Sequence, residues 1–351
     1  MKNRIKKLFL ILLTVLLAFS FISCNKGKDK NNIAVSENTK VSGTIRIVAT
    51  SESYKQLFDK FTSETGVKTE LLSMSSGEML SKLRAEGGKP QADLWFGGGI
   101  DAFMGAKNDG FLEKVPVKDN KLLGSEYKDA DGTWYTKGLT IVGFIVNNTL
   151  CKEKNLPIPR TWDDLINPIY KGEIIMSNPA ISGTNYAALN ALLQKKGDDG
   201  WNYFEKLNNN IAYYARRGSD PKNKVIADEF AIGITYIDGT IDALLDDYDI
   251  TIVYPEDGLP WMPDGVVVLK NSDNSVAAAY FVNWLFSNDD NLRELARIDQ
   301  KTSIKVIKPS IEGIELGYDP SILMDEDLSL FGSQRESVLS RFEQIASGKT
   351  T

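Results

Sequence analysis

Apolar and polar positions between residues 43 and 99 follow the periods of strands and helices in turn. Residues 44–49 alternate and are rich in β-branched side chains, which predicts a strand. Leu57, Phe58 and Phe61 fall on one face of a helix predicted over 54–66. The pattern then predicts a strand over 67–72, a helix over 75–87 and a strand over 92–96. This β-α-β-α-β order is typical of a mostly parallel sheet covered by helices.

Two long apolar segments, 139–147 and 265–270, predict strands that cross between two halves of the molecule. The sequence between them predicts a second α/β region, and helical patterns follow the second crossing. The predicted strands cover 172–176 and 232–236, and the predicted helices begin at Ser182 or cover 201–207, 276–286, 291–297 and about 328–345.

These elements predict an α/β fold of two lobes, each a mostly parallel sheet flanked by helices, joined by a hinge of two strands. Residues 43–139 and 267–351 are assigned to lobe 1, and residues 140–266 to lobe 2. Such a hinge lets two lobes close on a small molecule.

The first residues of the chain have the pattern of an export signal. Four basic residues precede an apolar run of 15 residues, 8–22, that is interrupted only by Thr14 and Ser20. A helix that spans a membrane needs ~20 residues, so this run is short for one. Phe21-Ile22-Ser23-Cys24 resembles a lipobox, which implies a signal peptide over 1–23 and a lipid on the Cys24 sulfur. The alternative is an N-terminal anchor that is never cleaved.

Both alternatives place the rest of the chain outside the cytoplasmic membrane, in the periplasm or at the cell surface, held to a membrane by its N-terminus. The segment 24–42 is polar and lacks apolar periodicity, which predicts a flexible tether that carries the lipid. Beyond Cys24 the sequence contains one cysteine, Cys151, so no intramolecular disulfide is expected. We expect Cys151 to be a small buried apolar residue.

Charge and composition exclude several function classes. Removal of the four basic residues of the signal changes the net charge from −6 to −10, which argues against nucleic acid as a partner. The chain contains no histidine, so the usual serine triads and zinc sites are excluded, and we expect no metal and no cofactor. Chemistry by carboxylates alone remains open, but no acidic pair has the surroundings of a nucleophile. We therefore expect a protein that is not an enzyme, with an extracytoplasmic carboxylate-dependent hydrolase as the alternative.

Serine, threonine and glycine gather where predicted strands end and helices begin. Helix N-termini have free N–H groups and a partial positive charge, and loops at the carboxyl ends of parallel strands converge. These loops together predict a site for a small anion. Each loop alone is weak evidence, because serine and threonine are common helix caps. The candidate residues are Ser51, Ser53, Ser75, Ser76, Gly98, Ser182, Gly183 and Thr184.

A second group has the chemistry to bind the polar body of a solute. Tyr236, Asp238, Asp257 and Trp261 offer carboxylates for sugar hydroxyls and aromatic faces for a sugar ring. Both aspartates precede glycine, which is also the pattern of an ordinary turn. Tyr213-Tyr214 is either a candidate ligand pair for ferric iron or part of a strand with one buried face.

Several stretches, in this order, resemble the type II periplasmic (extracellular) solute-binding proteins of ABC importers. The resemblance covers about residues 43–347 and is closest to the branch that binds ferric iron, 2-aminoethylphosphonate or hexose phosphates. It implies a two-lobed receptor, expected as a monomer, that closes on a small anionic solute and delivers it to a permease in the cytoplasmic membrane. The stretches are 92–103, 140–148, 159–165, 170–189, 218–239 and 265–287.

Within that branch, the residues favour a phosphorylated solute over iron. Ferric binders carry a carboxylate, a histidine and adjacent tyrosines near the strand that matches 233–236, whereas this chain has one tyrosine there and no histidine. In hexose-phosphate binders, acidic residues near Asp238 and Asp257 would hold the sugar, although Ile237 replaces the usual histidine. The positions that match the phosphate-binding helix starts are Ser53, Ser75, Ser76, Ser182, Gly183 and Thr184.

The expected function is that of a lipid-anchored solute-binding protein for a small phosphorylated organic compound, by preference a hexose phosphate. A ferric-iron receptor is the alternative from the same class. A receptor that signals to a membrane sensor, in place of feeding a permease, is a further alternative.

Overall fold

The computed structural model describes residues 33–36, 39–117 and 123–349. The predicted signal peptide, Cys24 and most of the predicted tether lie outside the described residues. Within the described part of the chain, no helix is both long and apolar enough to cross a membrane.

The strands of the described residues form one sheet in the order β2-β1-β3-β9-β4-β7-β5-β6, with β8 paired to β4. Every strand predicted from the pattern is present within a few residues of its expected bounds. The strands are β1 Thr44–Ala49, β2 Lys68–Ser73, β3 Leu94–Gly99, β4 Tyr135–Asn147, β5 Ile174–Ser177, β6 Ile211–Ala215, β7 Ile232–Tyr236, β8 Ile250–Val253 and β9 Trp261–Val268.

Strand β4 joins the two halves of the sheet. Its first part pairs with β9 from Tyr135 to Ile141, and its second part pairs with β7 from Val142 to Val146. In lobe 1, β1 is parallel to β2 and β3; in lobe 2, β5 is parallel to β6 and β7. The crossing strands β4 and β9 pair antiparallel with their neighbours. Each lobe is therefore a parallel sheet bordered by the crossing strands.

Helices cover both lobes. Their bounds are α1 Lys55–Thr65, α2 Ser76–Ala85, α3 Ile100–Asn108, α4 Asn148–Glu153, α5 Gly183–Lys196, α6 Gly200–Asn210, α7 Asp220–Ile226, α8 Gly239–Asp242, α9 Ser275–Phe286, α10 Asp289–Asp299, α11 Ile304–Ile307, α12 Leu330–Ser333 and α13 Arg335–Ala346. The last predicted helix, over 328–345, is thus two helices. Cys151 is buried on α4, in keeping with the sequence prediction.

The C-terminal helix α13 packs against elements of lobe 2. The Phe342 ring lies 5.2 Å from the ring of Tyr214 on β6 and 6.3 Å from that of Phe204 on α6. The Tyr214 N–H also donates to the Lys349 carbonyl at 2.9 Å. This apolar contact is not apparent in the sequence, where α13 follows helices of lobe 1.

Candidate functional site

A cavity of about 400 Å³ lies between the lobes, where the strands of both lobes end and the next helices begin. We refer to it as the main cavity. Ten of the twelve residues proposed from the sequence to bind ligand line it: Ser51, Ser53, Ser75, Ser76, Gly98, Ser182, Gly183, Thr184, Tyr236 and Asp238.

The first turns of three helices meet at this cavity. Ser75 begins α2 in a capping box, in which its N–H and hydroxyl donate to Glu78 Oε2 at 3.2 and 2.8 Å. Ser182 caps α5, and Gly99 begins α3. A methyl group on Gly183 would come within 2.8 Å of Ser76 Oγ and 3.3 Å of the Gly99 nitrogen, so the three helix starts are in close contact. Their dipoles and N–H groups favour an anion in the adjacent space.

Gly98 has a structural task that the sequence analysis did not assign to it. Gly97 and Gly98 have φ angles of 84° and 116°, a conformation that side chains strongly disfavour. The Gly98 N–H donates to Asp264 Oδ1 at 2.7 Å. This bond holds the turn from β3 into α3 and uses the Gly98 amide, so that amide is not available to a ligand.

Three cationic side chains also line the main cavity, and none of them is among the residues predicted from the sequence. Lys222 Nζ lies 3.2 Å from the Tyr236 hydroxyl, and Arg217 Nη1 lies 3.4 Å from Ser73 Oγ. Lys301 Nζ lies 3.0 Å from Asp264 Oδ2. Arg217 and Lys222 flank the start of α7, and the pattern there is typical of a solvated helix. The only signal for them was their position shortly before the strand that carries Tyr236 and Asp238.

A buried ion-pair network forms one wall of the cavity. The Lys137 side chain is 0 % exposed, and its Nζ lies 2.9 Å from Asp264 Oδ2, 3.2 Å from Asp299 Oδ2 and 2.9 Å from the Tyr54 hydroxyl. Burial raises the pKa of Asp264, but Lys137 and Lys301 lower it further, so that it falls to about 2. Burial lowers the pKa of Lys137, but the two aspartates raise it above its ordinary value. Both groups are therefore charged at neutral pH.

Asp238 stands at the end of β7, where its Oδ1 accepts the Thr240 N–H at 3.0 Å and begins α8. Burial raises the pKa of Asp238, and the charge of Lys301 opposes part of that rise. Its carboxylate offers hydrogen-bond acceptors to a group in the cavity.

The structure does not bring Asp257 and Trp261 to the main cavity. The Asp257 carboxylate accepts the Trp162 N–H at 3.1 and 3.2 Å, within the connection that follows β8. Trp261 is 9 % exposed, and its indole N–H donates to the Met324 carbonyl at 2.8 Å. Through these contacts both side chains stabilise the fold and do not line the main cavity. This corrects their assignment to the binding site.

The tandem tyrosines also lie elsewhere. The Tyr214 hydroxyl donates to Asn208 Oδ1 at 2.8 Å, and the Tyr213 ring packs 5.8 Å from that of Phe230. These contacts agree with the second interpretation of the pair, as part of a strand with one buried face. Among the described residues, no group of three or more histidine, cysteine, aspartate or glutamate side chains is placed to hold a metal ion.

The lobes touch each other on both sides of the main cavity. On one side, the Gly77 N–H donates to the Ile181 carbonyl at 3.0 Å, and Arg216 Nη2 pairs with Glu78 Oε1 at 3.0 Å. On the other side, the Gly239 N–H donates to the Gln300 carbonyl at 3.0 Å. The cavity is thus enclosed by contacts that a hinge motion would make and break.

Comparison with known proteins places this geometry among solute receptors. The sequence model of the family described as "Bacterial extracellular solute-binding protein" matches residues 89–297. An uncharacterized protein of Haemophilus influenzae is 27% identical over 325 residues, which cover 89% of this chain and 93% of that protein. A probable ABC transporter periplasmic-binding protein of Sinorhizobium fredii is 24% identical over 237 residues, which cover 64% of each chain.

A solved structure is similar over nearly the whole described region. It is the periplasmic binding protein AfuA from Actinobacillus pleuropneumoniae with exogenous fructose-6-phosphate bound, and its sequence is 26% identical to this chain. The similarity has a TM-score of 0.79 and covers 87% of this chain and 99% of that one. The likeness confirms the predicted α/β fold with two lobes.

Proposed function

Because this chain belongs to the family of bacterial extracellular solute-binding proteins and is the substrate-binding protein of an ABC importer, we propose that its solute is a small phosphorylated organic compound, by preference a hexose phosphate. The family confirms the resemblance that the sequence indicated. Proteins of this family and fold are transport receptors, and we extend this to a receptor without catalytic activity that feeds a permease.

The observation that carries the proposal is the meeting of three helix starts beside two cationic side chains. The starts of α2, α3 and α5 contact one another, and Arg217 and Lys222 line the same cavity. A chain with a net charge of −6 thus brings helix N-termini and two cationic side chains together at one cavity, an arrangement that favours an anion there. Hydrogen bonds to a charged group contribute ~1.5–3 kcal/mol each, and a few of them suffice for micromolar affinity, about −8 kcal/mol.

The organic part of the solute would lie against polar side chains that line the cavity around Asp238. Tyr236, Asp238, Thr140 and Thr240 line the cavity and offer both donors and acceptors. This mixture suits hydroxyl groups, which need a donor and an acceptor each. The Asp257 and Trp261 side chains do not contribute, so Tyr236 and Asp238 take the role that the sequence assigned to four residues.

The charges of the cavity favour a phosphate over ferric iron. Ferric iron requires several anionic oxygen ligands. Of the acidic residues that line this cavity, Asp264 and Asp299 are already paired with Lys137, and Asp264 also with Lys301, which leaves Asp238. Arg217 and Lys222 line the same cavity and offer complementary charge to a phosphate.

Lobe 1 would consist of residues 43–139 and 267–351, with lobe 2 as residues 140–266. The helix α13 would bridge the lobes, because Arg335 at its start pairs with Asp101 of lobe 1 while Phe342 and Lys349 contact lobe 2. A lipid on Cys24 would hold the receptor, as a monomer, at a membrane surface outside the cytoplasm.

Calorimetry on the purified protein tests the solute class with glucose 6-phosphate, 2-aminoethylphosphonate and ferric citrate. We expect micromolar binding of glucose 6-phosphate and weaker binding of the phosphonate. The variant Thr184→Val, which removes one cavity hydroxyl at nearly constant volume, should bind several-fold more weakly, whereas Thr62→Val on α1 should not change affinity. Binding of ferric citrate alone would overturn the phosphate assignment.

A further inference from the structure

A second cavity, of about 130 Å³, adjoins the main cavity at Asp238 and Lys301, which line both. We refer to it as the side compartment. Its remaining lining includes Gly239, Asp242, Tyr254, Gln300, Thr302 and Tyr318.

The two lobes build the side compartment together. Asp238, Asp242 and Tyr254 belong to lobe 2, whereas Lys301 and Tyr318 belong to the chain after β9. The Gly239 N–H donates to the Gln300 carbonyl at 3.0 Å, and a methyl group on Gly239 would lie 2.9 Å from Gln300 Cβ. The compartment therefore exists in this form only while the lobes are in contact, as expected of a place that holds part of a captured solute.

A buried hydroxyl in the side compartment lacks a partner. The Tyr318 hydroxyl has no hydrogen-bond partner among the described residues, although it is shielded from solvent. A buried polar group without a partner costs free energy, and a ligand group that bonds to it removes that cost. Tyr254 is 40 % exposed at the same compartment and offers an aromatic face.

The charges of the compartment select among ligand groups. Asp238 and Asp242 both line it, while the Lys301 ammonium is paired with Asp264. Burial raises the pKa of Asp242, as it does that of Asp238, which indicates that neither carboxylate is fully solvated. A second phosphate would meet like charge here. Hydroxyl groups would find carboxylate acceptors, the Thr302 hydroxyl and the Tyr318 hydroxyl.

The size of the compartment limits what enters. A volume of 130 Å³ is that of about four water molecules at ~30 Å³ each. This accommodates the part of one sugar unit next to its glycosidic bond. The rest of that unit would lie beside the exposed ring of Tyr254.

We propose that the side compartment is a second subsite, which takes a neutral sugar unit attached to the end of the solute remote from its phosphate. The inference rests on the proposed function, since it places the phosphate on the helix starts and the sugar hydroxyls at Asp238. It narrows the solute class from hexose phosphates to phosphorylated glycosides of two sugar units.

The test compares two ligands with the same phosphorylated end. Calorimetry on the full chain measures the Kd of glucose 6-phosphate and of trehalose 6-phosphate, which carries an added glucosyl unit on C1. We expect trehalose 6-phosphate to bind at least tenfold more tightly. Equal or weaker binding of trehalose 6-phosphate, with glucose 6-phosphate bound, would overturn the second subsite and leave the proposed function intact. Failure of both ligands to bind would overturn both.

The variant Tyr318→Phe tests the unpartnered hydroxyl. Since this substitution removes a buried polar atom that has no partner, we expect the unliganded protein to be at least as stable to heat. The ratio of the Kd of glucose 6-phosphate to the Kd of trehalose 6-phosphate should fall at least fivefold toward unity. Tyr248→Phe is the control, because Tyr248 is 41 % exposed and does not line the compartment. An unchanged ratio in Tyr318→Phe would contradict the subsite.

Discussion

The Gly77 amide, in the first turn of α2, donates a hydrogen bond of 3.0 Å to the Ile181 carbonyl just before α5. This bond joins the two lobes at the edge of the main cavity. A methyl group on Gly77 would lie 2.2 Å from the Ala180 carbonyl oxygen, so no larger residue fits at this contact. The glycine thus allows two helix starts to meet around the proposed anion site.

Substitution Gly77→Ala should separate closure from folding. Alanine is a better helix former than glycine by about 1 kcal/mol, so the stability of the unliganded protein should not fall. The lobes, however, can no longer reach their contact, and we expect affinity for glucose 6-phosphate to fall at least tenfold by calorimetry. Ser81→Ala, on an exposed position of the same helix, is the control and should leave affinity unchanged. Full affinity in Gly77→Ala would show that this contact is not needed for capture.

Lys222→Met should weaken anion binding without harm to the fold. The Lys222 ammonium lines the main cavity beside the Tyr236 hydroxyl. Loss of one charge-assisted hydrogen bond costs ~1.5–3 kcal/mol, which corresponds to a roughly 10- to 100-fold rise in Kd. Lys224→Met is a matched control on the same helix, since Lys224 pairs with Glu229 and does not line the cavity. Equal affinities of the two variants would place the anion elsewhere.

The Lys137–Asp264 pair should make stability depend on pH in the acid range. The pKa of Asp264 is about 2 in the folded protein, below its ordinary value of 3.8. Its contribution is therefore complete above about pH 4 and is lost as the pH falls toward 2, in total about 2 kcal/mol.

Asp264→Asn isolates this contribution. Removal of one partner of a buried ion pair lowers the free energy of unfolding by about 3–5 kcal/mol near neutral pH. The difference in this free energy between the variant and the unmodified protein should narrow below pH 4. Urea unfolding at several pH values measures it. Asp59→Asn, at an exposed pair with Lys55, should show neither the loss nor the narrowing. A difference that stays constant from pH 6 to pH 2.5 would contradict the assigned pKa shift.

Phe342→Ala should release the C-terminal helix. Phe342 is 1 % exposed between Tyr214 and Phe204, and truncation of such a ring costs about 3–5 kcal/mol. Denaturant unfolding measures the loss, and limited proteolysis should cut earliest after α12. Ser340→Ala, on the exposed side of α13, should change stability by less than about 0.5 kcal/mol. Comparable stability of both variants would mean that α13 contributes little to lobe 2.

Cys24→Ala should abolish attachment of lipid to the protein. Wild-type protein should incorporate labelled fatty acid and stay in the membrane fraction, because the lipobox predicts a lipid on the Cys24 sulfur. The variant should take up no label. Labelling that persists in the variant would contradict lipidation at this residue, and wild-type protein that is membrane-bound without label would favour the uncleaved anchor.

Local patterns were sufficient to predict most of the fold. The strand over 232–236 and the helix that begins after Ser182 are present as expected, because alternation and capping are properties of neighbouring residues. The prediction of one helix over 328–345 was wrong in detail, because the helix is interrupted at Gln334. The Arg335 side chain turns inward there, and its Nε pairs with Asp101 Oδ2 at 2.9 Å. Nothing in the local pattern indicates that buried partner.

The residues of the candidate site were likewise predictable only where their roles depend on neighbouring residues. The serines at helix starts were recognisable because the chemistry of a helix N-terminus is local, and the loops that follow parallel strands converge in any fold of this class. Asp257 and Trp261 were misplaced because they lie next to a lobe crossing in sequence, while their side chains turn to Trp162 and Met324. The sequence pattern could not show which way these side chains point.

By itself, the sequence determined the two-lobed α/β architecture and the helix starts that face the cleft, and it predicted the export signal. Each of these features shows in patterns of neighbouring residues. Only the tertiary structure decided which charges share the cavity. Lys137, Asp264 and the neighbouring Asp299 and Lys301 come from three distant stretches of the chain, and their roles depend on distances of about 3 Å between them. Electrostatic and hydrogen-bond energies fall steeply with such distances, so their chemistry exists only once the chain is folded.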